Sequence, residues 1–245
     1  MCGISAVSGI YAPLKAIYML TKQLERGKFG TGIAYICKNQ IRIVKEPIHP
    51  LKFYDKHTLE LKINSKMAIG HNRFPSRGQV TYVNTHPFMD CNGEFALVHN
   101  GHCFIEELRG YIIAGGHRIY GETDSELLTH LLEELYEEYG DMIYAIEQLA
   151  HLYLVGAIAV LTKDGAIYSC RNNHNPVHYA TVNGEAYLAS TYKAVKSLLE
   201  TLNLGKADIK LLQTNRVLEI RSGKTVIHEF EKTVKFCEVQ WWLYK

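Results

Sequence analysis

Apolar positions in the first part of the chain predict one helix and one hairpin. A helical period runs from Leu14 to Arg26, and Gly27 would end that helix. The apolar positions that define the period are Leu14, Ile17, Leu20 and Leu24. After Gly27, the alternating segment GIAYICKNQIRIVKE predicts two strands joined around Lys38-Asn39-Gln40.

The middle of the chain contains two further helical patterns. Thr123-Asp124-Ser125-Glu126 has the form of a capping box, in which Thr123 begins a helix and Glu126 reaches back to its start. Leucines at positions 127, 128, 131, 132 and 135 then form one apolar face. Another helix is predicted from about Met142 to Leu152.

Turn signals divide the later half into three predicted hairpins. Their turns lie at Asp164-Gly165, Asn183-Gly184 and Ser222-Gly223, and a helix from Ala194 to Leu202 separates the last two hairpins. Strands therefore come in clusters separated by helices, without a βαβ repeat. This order indicates an α+β fold with antiparallel sheets.

Composition narrows the functional classes. The 245 residues are 47% hydrophobic, and 27 Lys+Arg nearly balance 25 Asp+Glu, so neither a nucleic-acid nor a membrane partner is expected. The N-terminus has no signal-peptide pattern, and no apolar run is long enough to span a bilayer, which favours a cytoplasmic protein. The six cysteines show no CxxC spacing, so we expect reduced thiols.

Cys2 is the first candidate for chemistry. Removal of Met1 would leave a thiol and a free α-amino group on the same residue, and such an amine can act as the general base for the thiol. The alternative is that position 2 simply holds a small residue. Cys2 alone does not decide between these interpretations.

Two polar segments add candidate binding groups. HNRFPSRGQVTYVNTHPF, residues 71–88, follows the strand-like MAIG, and Arg73 in it could bind a carboxylate or form a surface salt bridge. In FALVHNGHCF, residues 95–104, a strand is expected to end and turn at His99-Asn100-Gly101. The Asn100 amide and the Gly101 N–H could form an oxyanion hole there, although Asn-Gly is also a common turn.

An acid and several imidazoles are open to two interpretations. Asp124, in the first turn of its helix, could hold a ligand ammonium group or interact only with the helix dipole. The histidines at 71, 86, 99 and 102 form no clear set at zinc-ligand spacing. We therefore expect no metal site, and without a Walker-type loop or GxGxxG we expect no cofactor.

The order of these segments resembles the glutaminase domain of the class II glutamine amidotransferases, which are N-terminal nucleophile (Ntn) hydrolases. The matching blocks run from Cys2 to about Thr191. They are Met1-Cys2-Gly3-Ile4, Arg26-Gly27, Gly30-Thr31-Gly32, His71-Asn72-Arg73-Phe74-Pro75, Asn84-Thr85-His86-Pro87-Phe88, His99-Asn100-Gly101, Glu122-Thr123-Asp124-Ser125-Glu126 and Leu188-Ala189-Ser190-Thr191.

The resemblance implies a four-layer αββα sandwich of two antiparallel sheets and a catalytic role for Cys2. Cys2 would attack the side-chain amide of L-glutamine, giving a thioester and ammonia, while Asn100 and Gly101 hold the oxyanion. Arg26 and Gly27 match the block that places the nucleophile's terminus.

The resemblance also implies the substrate contacts. Arg73 would bind the glutamine α-carboxylate and Asp124 the α-ammonium, and the further substrate-binding positions are Phe74, Ser76 and His86. Phe74-Pro75-Ser76-Arg77 departs from the Thr-rich turn that many members carry after this arginine, so the backbone contacts there are the least defined.

We expect a single domain over residues 2–245, with 192–245 forming a terminal helix and hairpin that end in QWWLYK. Because no acceptor-processing domain is recognisable, the expected partner is a separate synthase subunit that uses the ammonia. The aromatic tail could join that contact or pack on the domain itself. Two alternatives stay open: a hydrolase of other γ-glutamyl amides or peptides, and a non-catalytic glutamine-sensing or assembly module.

Overall fold

The computed structural model describes residues 1–103, 105–172 and 175–230. In chain order the elements are β1 (Gly3–Ser8), α1 (Ala12–Thr21), β2 (Gly30–Cys37), β3 (Gln40–Glu46), α2 (Pro50–Leu61), β4 (Met67–Arg73), β5 (Phe88–Met89), β6 (Phe95–His102), a 3₁₀ turn (Glu106–Leu108), α3 (Arg109–Ala114), α4 (Asp124–Tyr139), α5 (Met142–Leu152), β7 (Val155–Thr162), β8 (Ala166–Arg171), β9 (His178–Val182), β10 (Glu185–Ala189), α6 (Tyr192–Thr201), β11 (Lys210–Leu211), β12 (Arg216–Arg221) and β13 (Lys224–Glu229).

The strands form two antiparallel sheets. One has the order β11-β9-β10-β1-β4-β2-β3 and the other β13-β12-β8-β7-β6-β5. In the first sheet β1 is central, and Gly3 at its start lies opposite Asn72 of β4. Cys2 therefore lies directly before the central strand β1, beside the end of β4.

Three hydrophobic cores separate four layers. Alanine, valine, leucine and isoleucine side chains from both sheets fill the space between them, including Ile4, Ala34, Val98 and Ala157. Helices α1, α2 and α6 cover the outer face of the first sheet, and α4 and α5 cover that of the second. The predicted αββα sandwich is confirmed.

Local turn chemistry accounts for the predicted hairpins. Lys38 and Asn39 have φ of 51° and 59°, and Asn183 and Gly184 have φ of 52° and 74°, the left-handed pairs that two-residue hairpin loops require. The predicted helix from Met142 to Leu152 is also present, as α5.

The predicted first helix is too long at its C-terminal end, because α1 stops at Thr21. The chain then turns, which lets the Gln23 side chain donate to the main-chain oxygen of Ile4 at 3.1 Å. Arg26 reaches back in the same way to Cys2. Bonds to β1 thus replace helical bonds over the last predicted turn.

Two other expectations require correction. The strand predicted to turn at Asn100-Gly101 continues to His102, because Gly101 pairs with Gly156 of β7. Helix α2 was not predicted at all; it begins after His49, whose Nδ1 accepts from the Leu51 N–H.

The predicted capping box at α4 is half formed. Thr123 caps the helix by accepting from the Glu126 N–H, but the Glu126 carboxylate accepts from the N–H groups of Tyr120 and Gly121 instead of reaching Thr123. These bonds tie the preceding loop to the helix start, where Asp124 lies.

The C-terminal expectations fall partly on described residues. Helix α6 covers most of the helix predicted from Ala194, and β12 and β13 form the predicted last hairpin. QWWLYK lies outside the described residues, and a single domain over 2–245 stays a prediction. Over the described ranges, no helix has both the length and the hydrophobicity to cross a bilayer.

Candidate active site

The Cys2 thiol lies between the start of β1 and the residue that follows β4. The Phe74 main-chain N–H donates to Sγ at 3.3 Å, and the thiol lies 3.6 Å from the Phe74 carbonyl oxygen. The main-chain nitrogen of Cys2 donates to Oδ1 of Asn100 at 2.9 Å. Both sheets therefore contribute to the position of this residue.

Arg26 and Gly27 support the position of Cys2 from behind. The Nε of Arg26 donates to the Cys2 carbonyl oxygen at 2.8 Å. Gly27 packs directly on the main chain of β4, where an added Cβ would lie 2.7 Å from both the carbonyl carbon of Arg73 and the oxygen of Asn72. A glycine is needed there because any side chain would push the end of β4 away from Gly27.

Asn100 and Gly101 face the thiol from β6. With Oδ1 of Asn100 accepting from Cys2, Nδ2 is buried and has no hydrogen-bond partner among the described residues. A Cβ on Gly101 would collide with the main-chain oxygen of Val155, so this position also requires glycine. The arrangement leaves an amide N–H without a partner on the residue that binds the Cys2 main-chain nitrogen, and such a donor can bind a developing negative charge.

Arg73 holds the segment that covers the thiol. Its guanidinium donates to the main-chain oxygens of Gln79 and Arg77, both at 2.6 Å, and of Gly78 at 3.1 Å. The cavity next to this segment has a volume of about 20 Å³. That is close to the space of a single water molecule.

Asp124 closes the opposite wall of the cavity. Its Oδ2 accepts from the Cys103 main-chain N–H at 2.6 Å, and the residue is 8% exposed. The hydroxyl oxygen of the next residue, Ser125, lies 3.0 Å from Nδ1 of His99. The start of α4 thus presents a fixed carboxylate to the cavity.

Three buried histidines lie at the cavity, and two of them, His86 and His99, line it. The rings of His71 and His86 stack with centroids 3.9 Å apart, and His71 Nε2 lies 3.0 Å from the main-chain oxygen of His99. Burial lowers the pKa of His71 to about 3 and that of His86 well below its usual range, with neighbouring histidines acting in the same direction on His86. Both rings are therefore neutral at neutral pH.

Burial also acts on the nucleophile candidate. It raises the pKa of the Cys2 thiol, while the Phe74 N–H and the positive charges of the N-terminus, Arg73 and Arg26 act in the opposite direction. In the chain that carries Met1, the Cys2 nitrogen is an amide and cannot take the proton from the thiol.

The residues predicted from sequence lie together. Those that line the cavity are Cys2, Arg73, Phe74, Ser76, His86, Gly101 and Asp124. Asn100 and Arg26 bond to Cys2 directly, and Gly27 contacts the strand beside it. Four further residues line the cavity and were not predicted as site residues: Arg77, His99, Thr123 and Ser125. Each of the four lies within or next to a motif block, and this position in the sequence could have indicated that it belongs to the site.

Comparison with known proteins identifies the family. The model for "Glutamine amidotransferases class-II" matches residues 11–175. A glutamine–fructose-6-phosphate aminotransferase [isomerizing] of Thermus thermophilus is 32% identical over 231 residues, which cover 92% of this chain and 35% of the relative. The protein of the same name from Thermotoga maritima is 36% identical over 172 residues, 67% of this chain and 27% of the relative.

Solved structures show the same fold. Glutamine phosphoribosylpyrophosphate amidotransferase from B. subtilis superposes with a TM-score of 0.76 at 20% identity, over 95% of this chain and 50% of that one. A glutamine aminotransferase class-II domain protein from Silicibacter pomeroyi gives 0.61 at 16% identity, over 94% and 99% of the two chains. This chain spans about a third of the length of the curated relatives it matches. Given the match to more than half of its residues, the chain belongs to the class II glutamine amidotransferases, an enzyme family with the Ntn-hydrolase fold, as the order of its motifs predicted.

Proposed function

We propose that this chain hydrolyses the side-chain amide of L-glutamine at Cys2 and releases ammonia. The observation that carries the proposal is the buried, unpartnered Nδ2 of Asn100, the residue whose Oδ1 binds the Cys2 main-chain nitrogen. An unpartnered amide donor costs free energy in the folded protein. The same donor is available to bind the negative charge that forms during the reaction.

Removal of Met1 precedes the reaction and converts the Cys2 amide nitrogen into an α-amine. The neutral amine takes the thiol proton, and Sγ attacks the side-chain carbonyl carbon of glutamine. Asn100 Nδ2 and the Gly101 N–H bind the resulting oxyanion. The ammonium of Cys2 returns its proton to the leaving nitrogen, so ammonia departs and a γ-glutamyl thioester remains. Water then hydrolyses the thioester to glutamate and restores the thiol.

Two charged residues of the cavity bind the α-carboxylate and the α-ammonium of the substrate. The Arg73 guanidinium binds the carboxylate, and Asp124 binds the ammonium. A cavity of about 20 Å³ does not admit glutamine, so the segment that follows Arg73 has to open first. The Arg73 guanidinium also donates hydrogen bonds to three main-chain oxygens of that segment, so substrate binding and the position of the segment are linked.

The test combines intact mass with glutamine-dependent ammonia release. We expect the active protein to lack Met1 and Cys2→Ala to be inactive, while Cys37→Ala, which changes another partly exposed cysteine on β2, keeps full activity. Ammonia release by Cys2→Ala at the wild-type rate would disprove the proposal. Turnover of γ-glutamyl peptides in preference to glutamine would instead favour the alternative substrate class.

The ammonia is proposed to pass to a synthase subunit. The matched relatives are named for an amino transfer to fructose 6-phosphate, and this chain corresponds to about a third of their length. Free ammonia is lost unless an acceptor site lies nearby. Native co-purification should therefore recover a second chain that raises glutamine turnover. A chain that stays alone and hydrolyses glutamine at its full rate would argue against such a partner.

A further inference from the structure

Four side chains with metal-binding atoms converge on the outer side of the second sheet, away from the Cys2 cavity. They come from three segments: the turn between β5 and β6, the loop between α3 and α4, and helix α4 itself. Their ligand atoms all lie within 4.8 Å of one another. We call them the Cys91 cluster; its members are Cys91, His117, His130 and Glu133.

Four distances within the Cys91 cluster, between 2.9 and 3.7 Å, are short enough for one metal ion to bind all four side chains. Cys91 Sγ lies 3.3 Å from Nδ1 of His117 and 3.7 Å from Nδ1 of His130. Oε2 of Glu133 lies 3.2 Å from the first imidazole nitrogen and 2.9 Å from the second. A tetrahedral zinc ion with ordinary bond lengths requires sulfur–nitrogen separations of about 3.5 Å and nitrogen–oxygen separations of about 3.3 Å.

Contacts outside the Cys91 cluster hold the ligand atoms in this orientation. The Cys91 N–H donates to Oε1 of Glu133 at 3.0 Å, which leaves Oε2 directed at the centre. On the far side of the His117 ring, Nε2 lies 2.6 Å from Oε1 of Glu134. A carboxylate on the second ring nitrogen is the usual companion of a zinc-bound histidine.

The turn that carries Cys91 is itself fixed. Oδ2 of Asp90 accepts from the N–H groups of Asn92 and Glu94, both at 3.2 Å, and Oδ1 accepts from Phe95 at 2.9 Å. The Cys91 main chain therefore has a defined position over α4, where His130 and Glu133 lie one turn apart.

The geometry points to a zinc-binding site formed by the Cys91 cluster. A thiolate, two imidazole nitrogens and one carboxylate oxygen suit Zn²⁺, whereas Mg²⁺ and Ca²⁺ prefer oxygen ligands alone. Binding replaces the Cys91 S–H bond with an S–Zn bond and releases one proton to solvent. Four protein ligands complete the tetrahedron, so the ion has a structural role.

The ion can reach the centre from solvent, and once bound it would link three segments of the fold. Cys91 and His130 line a surface cavity of about 840 Å³, which gives solvent access to the centre. Once bound, the ion joins the β5–β6 turn and the loop around His117 to α4. The same helix begins at Asp124, less than two turns before His130. The zinc therefore stabilises the layer that supports the substrate-binding end of α4.

Metal analysis of the full untagged chain tests this inference without reference to glutaminase activity. We expect one zinc ion per chain after purification without chelator. Cys91→Ala should lose it, and Cys37→Ala should keep it. In the chelator-treated protein, free Zn²⁺ at 100 times its Kd should raise the folding constant about 100-fold for the wild type and leave Cys91→Ala unchanged.

Cobalt substitution gives a second measurement that needs only the wild-type chain. Co²⁺ bound by the Cys91 cluster should show a thiolate charge-transfer band and the strong visible bands of tetrahedral coordination. Absence of stoichiometric zinc together with absence of these bands would mean that the four side chains form only a hydrogen-bonded cluster. Equal zinc content in Cys91→Ala and the wild type would also overturn the assignment.

Discussion

The main-chain nitrogen of Cys2 donates to Oδ1 of Asn100 at 2.9 Å, and this bond determines which way the Asn100 amide faces. Because an N–H group requires an acceptor, Oδ1 points at the Cys2 nitrogen, and Nδ2 is left buried without a partner among the described residues. The residue thus positions the nucleophile with one atom and is available to bind the oxyanion with the other.

Asn100→Asp separates these two roles. Aspartate keeps the oxygen that accepts from Cys2 but replaces the Nδ2 donor with an oxygen that repels the oxyanion. We expect kcat for glutamine hydrolysis to fall about 100- to 1,000-fold with a smaller change in KM. Steady-state kinetics measures this, with Asn203→Asp, at an exposed asparagine after α6, as the control. An unchanged kcat in Asn100→Asp would remove Asn100 from the oxyanion hole.

Gly27→Ala tests the close contact behind the nucleophile. The new methyl group would lie 2.7 Å from main-chain atoms of Asn72 and Arg73, so β4 has to shift at the end that precedes Phe74. We expect a loss of stability of about 1–3 kcal/mol and a fall in kcat of up to about 100-fold. Urea unfolding and ammonia release measure the two effects.

Gly110→Ala in α3 is the matched control, because a Cβ there meets nothing within 4 Å. It should leave kcat unchanged and keep or slightly raise stability, since alanine favours helices. If Gly27→Ala behaved like this control, the contact between Gly27 and β4 would not be needed to hold Cys2.

Asp124→Asn tests the charge proposed to bind the glutamine ammonium. The asparagine oxygen can still accept from the Cys103 N–H, so the local fold is kept while the negative charge is lost. A hydrogen bond to a charged group contributes about 1.5–3 kcal/mol, so KM should rise about 10- to 100-fold, and kcat should change less.

The control for this variant is Asp141→Asn at the start of α5. Asp141 also lies at a helix start and accepts from two main-chain N–H groups, those of Ile143 and Tyr144. Asp141→Asn should leave KM unchanged. A KM for Asp124→Asn equal to the wild-type value would argue against the proposed ammonium contact.

Local sequence signals were sufficient for much of the fold, because hairpins and helix ends depend on neighbouring residues. The turns at Asn183-Gly184 and Ser222-Gly223 and the Thr123 cap are of this kind. Asn100-Gly101 misled the prediction because the same dipeptide that favours a turn is held in a strand by Gly156, a residue distant in sequence. The shortened α1 has a similar cause, since Gln23 and Arg26 bond back to β1.

The order of the sequence motifs was enough to predict which residues form the candidate site, but it could not predict the Cys91 cluster. Arg73, Asn100 and Asp124 each stand in a block that resembles a known family, and the fold gathers those blocks around one cavity. The four members of the Cys91 cluster come from three segments, and only His130 and Glu133 are close in sequence, so the packing of α4 against the neighbouring loop and turn is needed to reveal the cluster.

Acid should destabilise this fold through its buried imidazoles. The pKa of His71 falls from 6.5 to about 3 on burial, so between these values the unfolded chain binds a proton that the folded chain does not. The free energy of unfolding is therefore unaffected by His71 above pH 6.5. It decreases as the pH falls toward 3, by up to about 1.4 kcal/mol per pH unit for one proton. His86 acts in the same direction because its pKa is also lowered.

His71→Gln isolates this contribution. Glutamine is neutral at every pH and retains an N–H donor for the main-chain oxygen of His99, which His71 Nε2 contacts at 3.0 Å. Urea unfolding between pH 7 and pH 4 should give a shallower decline for His71→Gln than for the wild type, even if the variant is less stable at pH 7. His151→Gln, at a half-exposed histidine on α5, should keep the wild-type slope. Parallel curves for His71→Gln and the wild type would show that His71 is protonated in the folded chain as readily as in the unfolded one, contrary to its burial between the sheets.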